Sequence, residues 1–138
     1  MTYERDAGHW LLKFSPKEWL DHALRELERA EAALRQRHTA AAHAGLKRAA
    51  GMALNAALIA RPDESWGRTY VDHVRAVSED AVTPSPVREA ATKLLQLPTG
   101  ASSVVSLRTP SQERDLIEAA RTVMGYAYAI TYGRPPLG

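Results

Sequence analysis

The sequence predicts an all-α fold, an antiparallel bundle of four long helices and one short one. Three observations predict it. Apolar residues recur at three- and four-residue steps along most of the chain, the period of a helix with one buried face. Two capping boxes with proline at the first helical position, Ser15-Pro16-Lys17-Glu18 and Thr109-Pro110-Ser111-Gln112, mark helix starts. The segment from Thr39 to Arg61 presents only Ala, Gly, Leu, Met and Ile on its apolar face. Small residues let neighbouring helices approach closely, so this helix belongs at the centre of the bundle.

The elements follow in order. Residues 1–14 form an N-terminal arm, 15–133 the bundle and 134–138 a tail. After the first capping box, Leu20, Ala23, Leu24, Leu27, Ala30 and Leu34 make one apolar stripe, with Glu28, Arg29 and Arg35 among the charges opposite. This first helix is expected to reach about Arg37. The second starts near Thr39 or Ala40 and carries Leu46, Ala49, Ala50, Ala53, Leu54, Ala57 and Leu58 inward. Pro62 ends it, because proline disfavours the helical conformation in the residue before it. Gly45 and Gly51 inside this helix each cost about 1 kcal/mol against alanine. Close packing against another helix, or against a second subunit, would offset that cost.

A short third helix is expected from Ser65 to Val77, with Tyr70, Val71, Val74 and Val77 apolar. Glu79 to Pro86 is a linker. The fourth helix opens at Ser85-Pro86 and carries Val87, Ala90, Ala91, Leu94 and Leu95. Leu97 to Thr109 is a long loop, in which Val104 and Val105 could form a brief extended segment. The fifth helix runs from the second capping box through Leu116, Ile117, Ala120, Val123, Met124, Ala127 and Ile130 until Gly133 and Pro135 stop it.

With 138 residues the chain fits one domain. Its hydrophobic fraction of 45% and charged fraction of 25% are those of an ordinary globular protein. No apolar run reaches the roughly 20 residues that span a bilayer. The start, MTYERDAGHW, lacks the basic and apolar blocks of a signal peptide. The absence of cysteine removes disulfides and thiolate metal sites and fits a cytoplasmic protein. Of the 18 basic residues 14 are arginine, the better phosphate fork, but they are scattered and the net charge is only +2. A GC-rich genome would encode the same bias towards Arg and Ala.

Histidines at 9, 22, 38, 43 and 73 lack the ligand spacing of a metal helix, and no metal or other cofactor is expected. There is no nucleophile elbow, recognisable triad or phosphate-binding glycine loop. The remaining candidate catalytic pair is Arg68 and His73. On a helix two residues five apart lie about 140° apart around the axis, a gap that a long arginine can bridge. His73 would move a proton to or from a 2′-hydroxyl or leaving oxygen, and Arg68 would stabilise charge on the phosphate, giving metal-free RNA cleavage. The plainer alternative pairs Arg68 with Asp72, its i+4 neighbour, and leaves His73 half-buried or on the surface. Tyr126, Tyr128 and Tyr132 could stack on bases, or belong to a core or dimer seam. Trp10, Trp19 and Trp66 read as packing anchors.

From about Trp19 to Tyr132 the arrangement resembles the HEPN domain family (higher eukaryotes and prokaryotes nucleotide-binding). The resemblance rests on EWLDHALRELERAEAAL as an opening helix and AGLKRAAGMALNAALIAR as an alanine-rich second helix. A histidine within Tyr70-Val71-Asp72-His73-Val74 follows soon after, and a long final helix, DLIEAARTVMGYAYAITYG, completes it. The sequence departs from the family at Gly51, where many members carry Glu, and at Asn55, where many carry Lys. The ribonuclease members typically place an R-x4-6-H motif in the last long helix, which here holds no histidine.

The resemblance implies a homodimer with a groove between subunits that binds nucleotide or RNA, with Lys47, Arg48 and Tyr70 as candidate contacts. It also implies a place in toxin–antitoxin or defence systems, with a nucleotidyltransferase as partner. The alternative is a non-catalytic protein-interaction module whose groove binds such a partner. A third reading is a carrier of small ligands held between helices. The small-residue face of Ala42, Gly45 and Ala49 would serve equally as a dimer or a core seam.

Overall fold

The capping chemistry legible in the sequence sets where the first helix begins. In the computed structural model, which describes residues 10–97 and 110–133, Ser15 Oγ accepts from the Glu18 amide at 3.1 Å. The Glu18 carboxylate accepts from the Ser15 amide at 3.0 Å in return. Helix α1 then runs Pro16–Arg35. It stops two residues before the expected end because the chain enters a left-handed turn. Arg37 has φ 61°, and the His38 amide reaches back to the Ala33 carbonyl at 2.8 Å. The Arg37 amide bonds the Leu34 carbonyl at 3.1 Å, which completes a Schellman motif with arginine where glycine is usual.

Helix α2, Thr39–Ala60, follows at once and ends before Pro62. Fourteen of its 22 residues are buried, and it packs against α1, α3, α4 and α5, so it is the central helix. The two mid-helix glycines are explained within the chain. A Cβ at Gly45 would lie 3.0 Å from the Ala30 Cβ of α1, and one at Gly51 would lie 2.6 Å from the Tyr70 Cα of α3. Ala42 and Ala49 have no solvent exposure. The small-residue face is therefore a core seam of this chain.

The expected third helix is divided in two. A 3-10 turn, Glu64–Trp66, precedes α3, Tyr70–Glu79. Gly67, at φ 77°, breaks the helix, and Thr69 restarts it with its own capping box to Asp72. Helix α4 spans Ser85–Leu95 and α5 spans Pro110–Thr131. The residues 98–109, with Val104, Val105 and the Thr109 cap, lie outside the described residues, as do 1–9 and the tail from 134. At 20, 22, 10, 11 and 22 residues, the helices are three long and two short, not four and one. Helix α4 is short because Gln96 and Leu97 close its last turn and Pro98 follows.

Every regular element among the described residues is helical. Glu26 meets Arg48 and Ala30 meets Gly45, so α1 and α2 run in opposite senses. Glu31 meets Arg121 at one end of α1, and Lys17 lies in the field of Tyr132 at the other, so α1 and α5 are also opposed. Helices α2 and α5 thus share a sense, and α3 and α4 lie between them along the chain. The main core joins inward faces of all five helices, from Leu27 through Leu54, Val74 and Leu94 to Val123. Part of the expected arm joins the packing. A 3-10 turn, Trp10–Lys13, buries Leu11 against Leu58, and the Trp19 indole donates to the Leu11 carbonyl at 2.8 Å.

Candidate functional site

The apolar stripe of α1 is wider than the core can cover. Trp19, Ala23, Leu27, Ala30 and Leu34 are inside, whereas Leu20 is half-buried and Leu24 is 52% exposed. Helix α5 repeats the pattern. Val123 and Ala127 are inside, while Tyr128 and Tyr132 are 45% and 47% exposed. The two overhanging faces meet along a groove of about 520 Å³ whose apolar lining is Leu20, Leu24, Leu27, Met124, Tyr128 and Tyr132. The two tyrosines, one turn apart, bring their ring centres within 4.7 Å.

Gly125 lies in this groove, and a Cβ there would meet nothing within 4 Å. Unlike Gly45 and Gly51, it forgoes about 1 kcal/mol of helix propensity without a close in-chain neighbour to require it. Its absent side chain leaves that stretch of the groove open.

Paired charges edge the groove. Lys17 and Asp21 bond at 2.9 Å, and that hydrogen bond and charge raise the Lys17 pKa. Arg121 bridges Glu118 at 3.1 Å and Glu31 at 3.2 Å, tying α5 to α1. Lys17 and Asp21 balance each other, while Glu31 and Glu118 share the one cation of Arg121.

The candidate catalytic residues occupy different environments. His73 has no solvent exposure, and its Nε2–H donates to the Gly67 carbonyl at 3.1 Å. Burial depresses its pKa, against smaller opposing effects of the Gly67 carbonyl, Asp72 and the Gly51 carbonyl. Arg68 is exposed in the link to α3, where its backbone amide, not its guanidinium, faces the Asp72 carboxylate at 3.3 Å. The nearest side-chain ion pair of Asp72 is to Arg75, at 3.9 Å. A ring enclosed in this way has no open side for a phosphodiester.

The candidate contacts for nucleotide or RNA are also divided. Lys47 is buried, and its ammonium donates to the Leu97 carbonyl at 2.9 Å, just beyond the end of α4. Burial lowers its pKa. Arg48 bonds Glu26 at 2.9 Å, and Arg29 bonds the same carboxylate at 2.7 Å. Tyr70 is half-buried near that cluster, and burial raises its pKa. Arg48 and Tyr70 are thus neighbours, while Lys47 is committed to the interior.

No protein-family model, curated protein or solved structure matches this chain. The geometry alone therefore ranks its surfaces.

The sequence reading places Leu24 in one apolar stripe with Leu20 and Leu27, and Tyr126, Tyr128 and Tyr132 in a group for base stacking, core or dimer seam. It missed Gly125. The available signal was a glycine inside a strong helical pattern, one turn before an exposed tyrosine. Among the described residues no group of three or more His, Asp or Glu side chains is placed to hold a metal ion, and no helix is long and apolar enough to cross a membrane.

Proposed function

We propose that this chain is a HEPN-like helical interaction protein that acts by binding, through the α1–α5 groove, the apolar face of a helix from a partner protein. The observation that carries this reading is Gly125, a helix-weakening residue lining the groove with no close neighbour in its own chain. The groove's length favours a helix over a compact ligand. From Lys17 to Leu27 its α1 wall spans about 15 Å, or three helical turns. Helix-in-groove recognition uses anchors at such spacing. The HEPN resemblance makes a nucleotidyltransferase the partner to try first.

The test uses a photo-crosslinking residue at position 128, followed by binding of the purified chain to the protein it captures. Gly125→Trp projects a large side chain into the groove and should weaken that binding at least about tenfold, the equivalent of 1.4 kcal/mol. Val82→Asp, at an exposed site not among the groove residues, should leave it unchanged. Full affinity in Gly125→Trp sinks the reading. Light scattering in parallel distinguishes a second copy of this chain as the occupant.

Nucleotide or RNA binding is the second reading. It is favoured by Arg29 and Arg48 sharing the single carboxylate of Glu26 beside Tyr70, which leaves one net positive charge there. Cleavage by Arg68 and His73 would require His73 to leave its enclosed position. Mixed-sequence RNA incubated in EDTA with wild type and with His73→Ala should remain intact in both. Cleavage that disappears in the variant would restore the nuclease reading.

A further inference from the structure

A second cleft lies on the short-helix side of the molecule, formed by Ser78 of α3 and a row along α4. Its volume is about 430 Å³, and every residue lining it is polar. Ser85, Arg88, Thr92, Lys93 and Gln96 recur at helical steps, so they share one face of α4. Glu89 is the only carboxylate in the lining, against two cations.

Arg88 is the unusual member. Its Nε is shielded from solvent and has no hydrogen-bond acceptor. Among the described residues neither Arg88 nor Lys93 is in an ion pair. Buried donors are nearly always matched by protein, water or a ligand, and the chain itself supplies no acceptor to this one. The Ser78 and Thr92 hydroxyls already donate to the Arg75 and Arg88 carbonyls, at 2.7 and 2.9 Å. The donors remaining for a ligand are the guanidinium of Arg88, the ammonium of Lys93, the amide of Gln96 and the hydroxyl of Ser85.

We propose that this cleft binds the phosphate group of a small phosphorylated molecule, with Arg88 as the fork and Lys93 as the second cation. An arginine presents paired donors that match phosphate oxygens, and the cleft lies in the size range of small-ligand sites. A larger phosphate ester fits that volume better than a bare ion. The proposal does not depend on the α1–α5 groove.

The test is a titration of the full chain with inorganic phosphate, ribose 5-phosphate and citrate, read in proton–nitrogen spectra that include the arginine Nε–H signals. The expected result is a saturable shift of the Arg88 Nε–H with both phosphates, tighter for ribose 5-phosphate. Arg88→Gln, followed through the backbone amide signals of α4, should bind about tenfold or more weakly, the worth of one charge-assisted hydrogen bond. Lys93→Gln, at an exposed position that leaves the fold intact, should weaken binding severalfold. Absence of saturation up to about 10 mM, beyond the weak end of ordinary binding, overturns the proposal. Saturation by citrate alone, or equal affinity in both variants, does so too.

Discussion

At the scale of single residues, three buried positions set measurable terms. Asn55 lies in the core of α2 with no solvent exposure and with neither amide atom hydrogen-bonded. An unmatched buried polar group costs about 1–3 kcal/mol, and an apolar side chain of the same shape removes that term. Asn55→Leu should therefore raise stability by about 1 kcal/mol in urea unfolding. Gly51 acts in the other direction. A methyl there would meet the Cα and Cβ of Tyr70, so α2 and α3 would have to separate. Gly51→Ala should lose about 2 kcal/mol despite its better helix propensity. Gly45→Ala, whose closest approach would be 3.0 Å to the Ala30 Cβ and 3.6 Å to its Cα, should cost less than Gly51→Ala. His73 gives a pH dependence whose sign follows from burial. Its folded pKa lies below the unfolded value of about 6.5, so the unfolded chain takes up the proton first. Its contribution to stability is complete above that value and is lost as pH falls through the folded pKa. Denaturant midpoints measured across this range should fall with pH in the wild type and change less in His73→Gln.

At the scale of elements, the junction between α1 and α2 carries two local deficits that substitution can relieve. Arg37 occupies a left-handed conformation suited to glycine, and His38 caps α2 without a side-chain hydrogen bond. Arg37→Gly should gain up to about 1 kcal/mol from relief of that conformation. His38→Asp should gain about 1 kcal/mol by accepting from the first-turn amides. Thermal unfolding of the two variants and their combination checks both. The same scale explains what the sequence made legible. The Ser15 box, Pro62 and the Ser85-Pro86 start set helix limits that hold in the structure, because each acts through its immediate neighbours. The division of the expected third helix at Gly67 has its local signal in Thr69-x-x-Asp72, a capping box inside one apolar pattern. The end of α1 was not, since a left-handed arginine has no local signature.

At the scale of the whole molecule, burial depends on which helices meet, and periodicity alone does not contain that. Leu24 and Leu27 share one apolar stripe in the sequence, yet only Leu27 is covered. His73 reads as a reactive histidine until α2 and the Gly67 turn enclose it. The groove arises because α5 runs beside α1 without covering its outer edge, a relation between positions a hundred residues apart. Leu24→Asp should leave the unfolding midpoint within about 0.5 kcal/mol of wild type, as expected for an exposed site, while abolishing partner capture. A large loss of stability would instead place Leu24 in the core of the free protein.

The central position of α2 has a consequence during synthesis. Helices α1 and α2 can pair as soon as both have left the ribosome, but the face of α2 that α5 covers must wait. Helix α5 ends about seventy residues after α2, which at about 5–20 residues per second is a delay of several seconds. For that interval an alanine- and leucine-rich surface stands open to other nascent chains. The short helices α3 and α4, which emerge in between and also pack on α2, are its first shelter.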